Sequence, residues 1–174
     1  DANTVLVSTD FGPGSMTKSG YARMVKEWKR GTPLADARTV YEAHESDVST
    51  YAVVDRTPGF ERVVVGRATD FFNTEEFLLQ GGALQRLDKP SDATLLWQRD
   101  WALLQLRSAY TVGGKTYKAG ALLGIPAKAW LGGDRNFDVL FEPTATRSIT
   151  RSGVSLTRDH VLLSILDNVA GRME

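Results

Sequence analysis

Four short apolar runs recur along this 174-residue chain, each a string of aliphatics ending on a small or polar residue or on a leucine. They are Thr4-Val5-Leu6-Val7-Ser8, Arg62-Val63-Val64-Val65-Gly66, Ala102-Leu103-Leu104-Gln105-Leu106 and His160-Val161-Leu162-Leu163-Ser164, with starts about 58, 40 and 58 residues apart. Between successive runs comes a shorter strand that closes on an acid: Thr39-Val40-Tyr41-Glu42, Leu84-Gln85-Arg86-Leu87-Asp88 and Val139-Leu140-Phe141-Glu142. Each unit reads as an inner apolar strand, one or two amphipathic strands, and an outer strand with an acidic exit.

A unit of about 40–60 residues with four strands matches a β-propeller blade. A twisted four-stranded sheet cannot bury both faces alone, so each blade must pack on its neighbours. The expected fold is therefore all-β, a partial propeller of about three to four blades of four-stranded antiparallel sheets. The units fall at roughly 1–46, 47–90 and 91–145, with a partial blade at 146–174. A β-sandwich of unrelated strands is the competing architecture, but it gives no reason for the acidic exit to recur.

Helix signals are sparse. Pro126-Ala127-Lys128-Ala129-Trp130-Leu131, stopped by Gly132-Gly133, predicts about two turns, and Pro33-Leu34-Ala35-Asp36-Ala37 a single one. The remainder is short apolar or alternating segments punctuated by Gly, Pro, Asn and Asp, a pattern of strands and turns.

Composition narrows the function classes. The 21 basic and 21 acidic residues cancel, whereas nucleic-acid or anionic-membrane binding calls for a basic excess. With 42% hydrophobic and 24% charged residues, the chain is ordinary for a folded globular protein. There are no cysteines, which removes disulfides, thiolate catalysis and Cys-ligated metal centres. Cysteine-free chains occur on both sides of a membrane; of the two compartments the cytoplasm is favoured over the periplasm. No apolar run approaches the roughly 20 residues that span a bilayer. The chain opens at Asp1 on a strand-like run and closes at Glu174 just after a strand and turn, so both ends read as cut from something longer.

No residue pattern assembles into a catalytic, cofactor or metal site, and none is assigned. Val112-Gly113-Gly114-Lys115-Thr116 imitates the end of a phosphate-binding loop. It has Ala109 where that loop needs Gly, and strand-like residues follow where a helix should. Gly113-Gly114 between Tyr110-Thr111-Val112 and Thr116-Tyr117 predicts a hairpin instead. Ser15 in Gly12-Pro13-Gly14-Ser15 is not on a G-x-S-x-G elbow, which occurs nowhere in the chain, and reads as turn chemistry. The two histidines lie apart: His44 in a polar loop, His160 at the opening of a strand and hydrogen-bonded at a blade edge. Asp10, Asp55, Asp70, Asp88 and Asp167 mostly sit at strand ends. Acids there accept turn hydrogen bonds, or, if paired in a cleft, could cleave glycosides. Trp28, Trp97, Trp101 and Trp130 read as packing residues.

One stretch carries a family likeness. Val7-Ser8-Thr9-Asp10-Phe11-Gly12-Pro13-Gly14-Ser15-Met16-Thr17-Lys18-Ser19-Gly20-Tyr21, followed by Val25-Lys26-Glu27-Trp28-Lys29-Arg30-Gly31-Thr32-Pro33-Leu34, resembles the propeller of bacterial prolyl-oligopeptidase-type serine peptidases. In that family a strand ending in Thr-Asp leads through a Gly/Ser loop to Ser-Gly-Tyr, then a basic strand precedes Trp-x-Arg-Gly-Thr-Pro-Leu. Leu106-Arg107-Ser108 with Gly113-Gly114, and Leu156-Thr157-Arg158-Asp159-His160-Val161-Leu162, continue the likeness.

The resemblance implies a two-domain enzyme in which a seven-bladed propeller caps an α/β-hydrolase domain with a Ser-Asp-His triad. That enzyme cleaves short peptides after proline. The chain would cover the middle blades, its partners being the hydrolase domain and short peptide substrates, with no cofactor, nucleic acid or membrane. Its role would be to wall the cavity and exclude folded proteins; alone it would be inactive. Exposed blade faces and sheet edges lead us to expect self-association of the fragment. Two other readings stay open, a self-standing binding or scaffold propeller and a carboxylate-dependent glycosidase propeller. Gly-His and Trp-Asp signatures of WD repeats are absent.

Overall fold

The computed structural model describes residues 3–174, and its regular secondary structure is almost wholly antiparallel sheet. It divides into two compact units, 3–91 and 92–174; the first holds two sheets built as meanders, and the second two more together with a two-stranded hairpin.

In the first unit, β1 (Thr4–Val7), β2 (Met24–Lys29) and β3 (Arg38–Glu42) form a three-stranded sheet. β4 (Ser49–Asp55), β5 (Arg62–Ala68), β6 (Thr74–Gln80) and β7 (Ala83–Arg86) form a four-stranded one. The core of this unit is aliphatic: Val25 and Val65 are fully buried and Val64, Leu78 and Leu87 nearly so. Tyr41 stacks on Phe77 with ring centroids 5.2 Å apart, a tilted contact that fastens β3 to β6.

The second unit repeats the scheme with an insertion. β8 (Thr94–Gln98) and β9 (Trp101–Gln105) pair with β12 (Leu122–Pro126) and β13 (Asp138–Phe141) in the order β13-β12-β9-β8. Between β9 and β12 the chain detours through the hairpin of β10 (Tyr110–Val112) and β11 (Lys115–Tyr117). Gly113 and Gly114 take positive φ, 59° and 75°, which is what a two-residue hairpin turn matched to the strand twist requires. The last sheet is β14 (Arg147–Leu156), β15 (Val161–Asp167) and β16 (Ala170–Met173). Leu103, Leu122, Phe141, Leu163 and Ile165 form one buried cluster joining these two sheets, and Trp101 packs against it.

Both short helical segments form where Pro starts and Gly or an extended residue stops them. α1 (Ala127–Leu131) follows Pro126 and ends at Gly132, while Leu34–Asp36 makes a 3-10 turn after Pro33. Trp130 on α1 is 2% exposed and lies 5.9 Å from the ring of Trp97. Trp28 donates its indole N–H to the Thr32 carbonyl at 2.9 Å, tying β2 to the turn after it.

Two sequence expectations need correcting. The sheets are not all four-stranded: among the described residues the first and last have three strands. The four apolar runs are not equivalent either. β5, β9 and β15 each have a strand on both sides, whereas Thr4–Val7 lies at an edge and is only half-buried. The acid-closing runs do occupy edge strands, as β3, β7 and β13. The uneven spacing of the runs comes from connections, chiefly the long β1–β2 loop and the inserted hairpin.

Candidate functional site

The densest set of buried ionisable groups lies on the β4–β7 sheet. Registry places Tyr51, Gly66 and Glu76 in one row across β4, β5 and β6, and Thr50, Arg67 and Glu75 in the next. Because alternate residues face opposite ways, the two rows serve opposite faces.

On the first face Gly66 leaves a gap that the Tyr51 ring fills. A Cβ at residue 66 would come within 2.4 Å of Tyr51 Cζ. Lying across this gap, the Tyr51 hydroxyl donates to Glu76 Oε1 at 3.0 Å. Glu76 Oε2 is 3.3 Å from Lys89 Nζ, an ion pair outside hydrogen-bonding angles. The Lys89 side chain is 1% exposed and its ammonium also donates to Thr74 Oγ1 at 3.2 Å and the Pro90 carbonyl at 3.3 Å. Burial, reinforced by the Glu76 charge and hydrogen bond, pushes the Tyr51 phenol well above its ordinary value.

On the second face Arg67 bridges two acids, 3.0 Å from Asp47 Oδ2 and 2.9 Å from Glu75 Oε2. Burial works against its charge, but the bonds to Glu75 and Asp47 more than offset that and raise its pKa. The same bond to Arg67 holds the Glu75 carboxyl below the usual carboxylate range, helped by Arg86 at 2.9 Å. Asp47 also accepts the His44 N–H at 2.8 Å, so the β3–β4 turn hangs on this network. Burial beside the network lifts the Tyr41 phenol as well.

Arg67 and its two acids are held by one another, Glu76 Oε2 keeps only the ion pair to Lys89, and the two sets tie β4, β5 and β6 in register. A groove of about 660 Å³ opens elsewhere in this unit, lined by β1 together with Val54, Asp55, Arg62 and Leu79. Asp55 in its lining is held by Arg62 at 3.3 Å and caps Thr57 N–H at 2.9 Å.

The other residues singled out in the sequence are spread among turns. Ser15 is 2% exposed; its hydroxyl donates to the Gly12 carbonyl at 2.6 Å, with Asp10 Oδ1 at 2.9 Å, and accepts the Phe11 N–H at 2.8 Å. Asp10 also accepts the Gly12 N–H, and these bonds hold its carboxyl below the ordinary value. Asp70 is lowered in the same way by the Phe72 N–H, then Asn73. Asp167 pairs with Arg172 at 3.2 Å, and Asp88 follows the end of β7. His44 and His160 are both exposed; the backbone N–H of His160 bonds Thr157 Oγ1 inside the β14–β15 turn, so it sits in a hairpin tip instead of a blade edge. Among the described residues no group of three or more His, Asp or Glu is placed to hold a metal.

The sequence reading missed the Tyr51–Gly66–Glu76–Lys89 row. Gly66 was the available signal: a glycine inside an apolar strand marks a close approach, and β5 runs on past it to Ala68.

No protein-family model matches the chain. It is 31% identical over 183 aligned residues to uncharacterized peptidase y4nA of Sinorhizobium fredii, covering 99% of this chain and 25% of that protein. It is 25% identical to uncharacterized peptidase RP174 of Rickettsia prowazekii, again across 98% of this chain and 25% of the relative. Among solved structures, a post-proline cleaving enzyme from Rickettsia typhi superposes with a TM-score of 0.87 at 25% identity, over 98% of this chain and 26% of the enzyme. A prolyl endopeptidase structure shares the fold, with a TM-score of 0.61 at 13% identity and 24% of its chain covered. The chain thus spans about a quarter of the length of the relatives it matches. Over that quarter its sheets are those of a partial β-propeller, and the chain is a relative of the propeller segment of prolyl-oligopeptidase-type peptidases.

Proposed function

We propose that this chain is the non-catalytic propeller segment of a post-proline-cleaving serine peptidase, walling the approach to an α/β-hydrolase active site that lies outside these residues. The observation that carries this reading is the full-length match, at a TM-score of 0.87, to one quarter of a post-proline cleaving enzyme. The buried ion pairs support it too: Arg67 and Lys89 are engaged by acids on the β4–β7 sheet, which suits a stiff wall there better than a chemical role for those groups. Rigid walls select by size. They admit short flexible peptides and keep folded proteins and excess water from the reacting centre.

The test compares the 174-residue chain with the longer protein encoded by the same gene. The chain alone should leave a fluorogenic proline peptide intact. The longer protein should cleave it, and should leave the same proline sequence intact within a folded domain. Equal cleavage of the folded substrate would contradict the gating role.

We also propose that the isolated chain self-associates. Among the described residues β1 and β16 each pair on one side only, and Val169, just before β16, and Met173, at its end, are 91% and 72% exposed. Light scattering coupled to size exclusion should give a mass above 19.1 kDa. A monomer at high micromolar concentration would contradict it.

A further inference from the structure

We infer that the open edge of β1 is completed, in the longer peptidase, by one antiparallel strand from the stretch immediately before it, and that this strand fills the groove beside β1. This rests on the reading of the chain as a segment of such a peptidase. The internal repeat names the occupant. The other three apolar runs, β5, β9 and β15, each pair on one side with the strand just before them in the chain: β4, β8 and β14. All three pairs are antiparallel, and their connections are short, residues 56–61, 99–100 and 157–160. On its other side each run pairs with a later strand, as β1 does with β2. Thr4–Val7 is thus the second strand of this pattern without its first.

Registry shows which backbone groups the missing strand would meet. The Arg30 N–H donates to the Asn3 carbonyl at 2.8 Å, so Asn3 and Arg30 form a hydrogen-bonded pair. Antiparallel partners alternate between bonded and non-bonded pairs, and Thr4, Val5, Leu6 and Val7 lie opposite Lys29, Trp28, Glu27 and Lys26. Val5 and Val7 therefore bond to β2, while the N–H and C=O groups of Thr4 and Leu6 point to the open side. A row of that kind is a template for an added strand.

The groove has the shape for one. It is bounded by Thr4, Val5 and Leu6, three consecutive residues whose side chains face opposite ways, so it runs along the edge of β1. Its opposite wall is a face of the β4–β7 sheet, where Val54, Val63 and Leu79 stand in one row across β4, β5 and β6. The next row on that face, Ala52, Val65 and Phe77, is covered: Val65 is fully buried. The outer row is not, and Val54 is 43% exposed. A strand on β1 with apolar residues at alternate positions would cover it. At about 660 Å³ the groove takes a short extended segment and is too small for a folded domain.

Residue-resolved amide hydrogen exchange on the longer protein reads the two open N–H groups. Thr4 and Leu6 should exchange at least about a hundredfold more slowly than in an unstructured peptide, like Val5 and Val7, and dilution should not change this. Near-peptide rates at Thr4 and Leu6 beside slow Val5 and Val7 would overturn the proposal. Protection that disappears on dilution would overturn it too, assigning the edge to a second copy. The occupant is identified by placing a photoreactive benzophenone side chain at Val54 of the longer protein. The adduct should map within about 15 residues before Thr4, and an adduct on any other segment would contradict the assignment. Cleavage of a proline peptide is scored on the same sample. A protected edge without cleavage counts against the functional reading alone, and an open edge in an active enzyme against the strand alone.

Discussion

The Tyr51 hydroxyl donates to Glu76 Oε1 at 3.0 Å across a strand that separates the two residues, and it can do so because residue 66 between them has no side chain. The aromatic ring replaces the contacts a glycine cannot make, so Gly66 and Tyr51 act as one packing unit. Gly66→Ala should therefore destabilise the chain by about 1–3 kcal/mol, since the new methyl meets a ring held on both sides. In a Tyr51→Ala background the same change should cost much less. Urea denaturation of the four members of that cycle measures the coupling, and additive effects would separate the two residues.

The Tyr51 phenol also sets an alkaline limit. Its pKa is raised in the fold, so its contribution is fully present below the unfolded value of about 10 and is lost as pH climbs through the folded value. Tyr51 and Tyr41 should both ionise late in a spectrophotometric titration. Tyr51→Phe should delete one late-titrating group from that curve.

Lys89 and Glu76 form a pair whose halves differ from the whole. Lys89→Met leaves a mostly buried carboxylate without its cation and should cost about 3 kcal/mol. Adding Glu76→Gln should recover a good part of that loss, because the amide carries no charge needing compensation. Losses that simply add in the double variant, read from denaturation midpoints beside both single variants, would show that the pair is not coupled.

The Arg67 bridge gives an acid limit of definite sign. Glu75 has a depressed pKa, so its stabilisation is present above the unfolded value near 4.3 and is lost as pH falls through the lower folded value. The chain should weaken between neutral pH and about pH 3, and Glu75→Gln should flatten that dependence while lowering stability at pH 7. Guanidinium denaturation at both pH values reads the difference.

Much of the fold was legible from local signals. Acid-closing runs mark edge strands because a strand exposed on one side tolerates charge where it stops. Pro126 and Gly132 bracket α1, and Gly113-Gly114 marks the hairpin, because these residues restrict or free the backbone directly. Strand count per sheet was less legible, since a run such as Thr4–Val7 looks the same whether one neighbour flanks it or two. Gly66 alone hinted at the Glu76 network, and the Arg67 network was illegible for a related reason. Arg67 meets Glu75 and Asp47 through registry, and registry depends on bulges and loop lengths that no single run encodes. Ser15 reads as a turn residue in sequence and is one, although its burial and three partners make it the pivot of the β1–β2 loop.

The central claim is that these sheets belong to a peptidase whose chemistry is done elsewhere in its chain. The most direct measurement is labelling of the longer protein with a serine-directed fluorophosphonate, followed by mapping of the modified peptide. The account requires loss of proline-peptide cleavage together with a single adduct outside these 174 residues. An adduct on Ser15 or any other serine within them, formed in step with loss of activity, would contradict it.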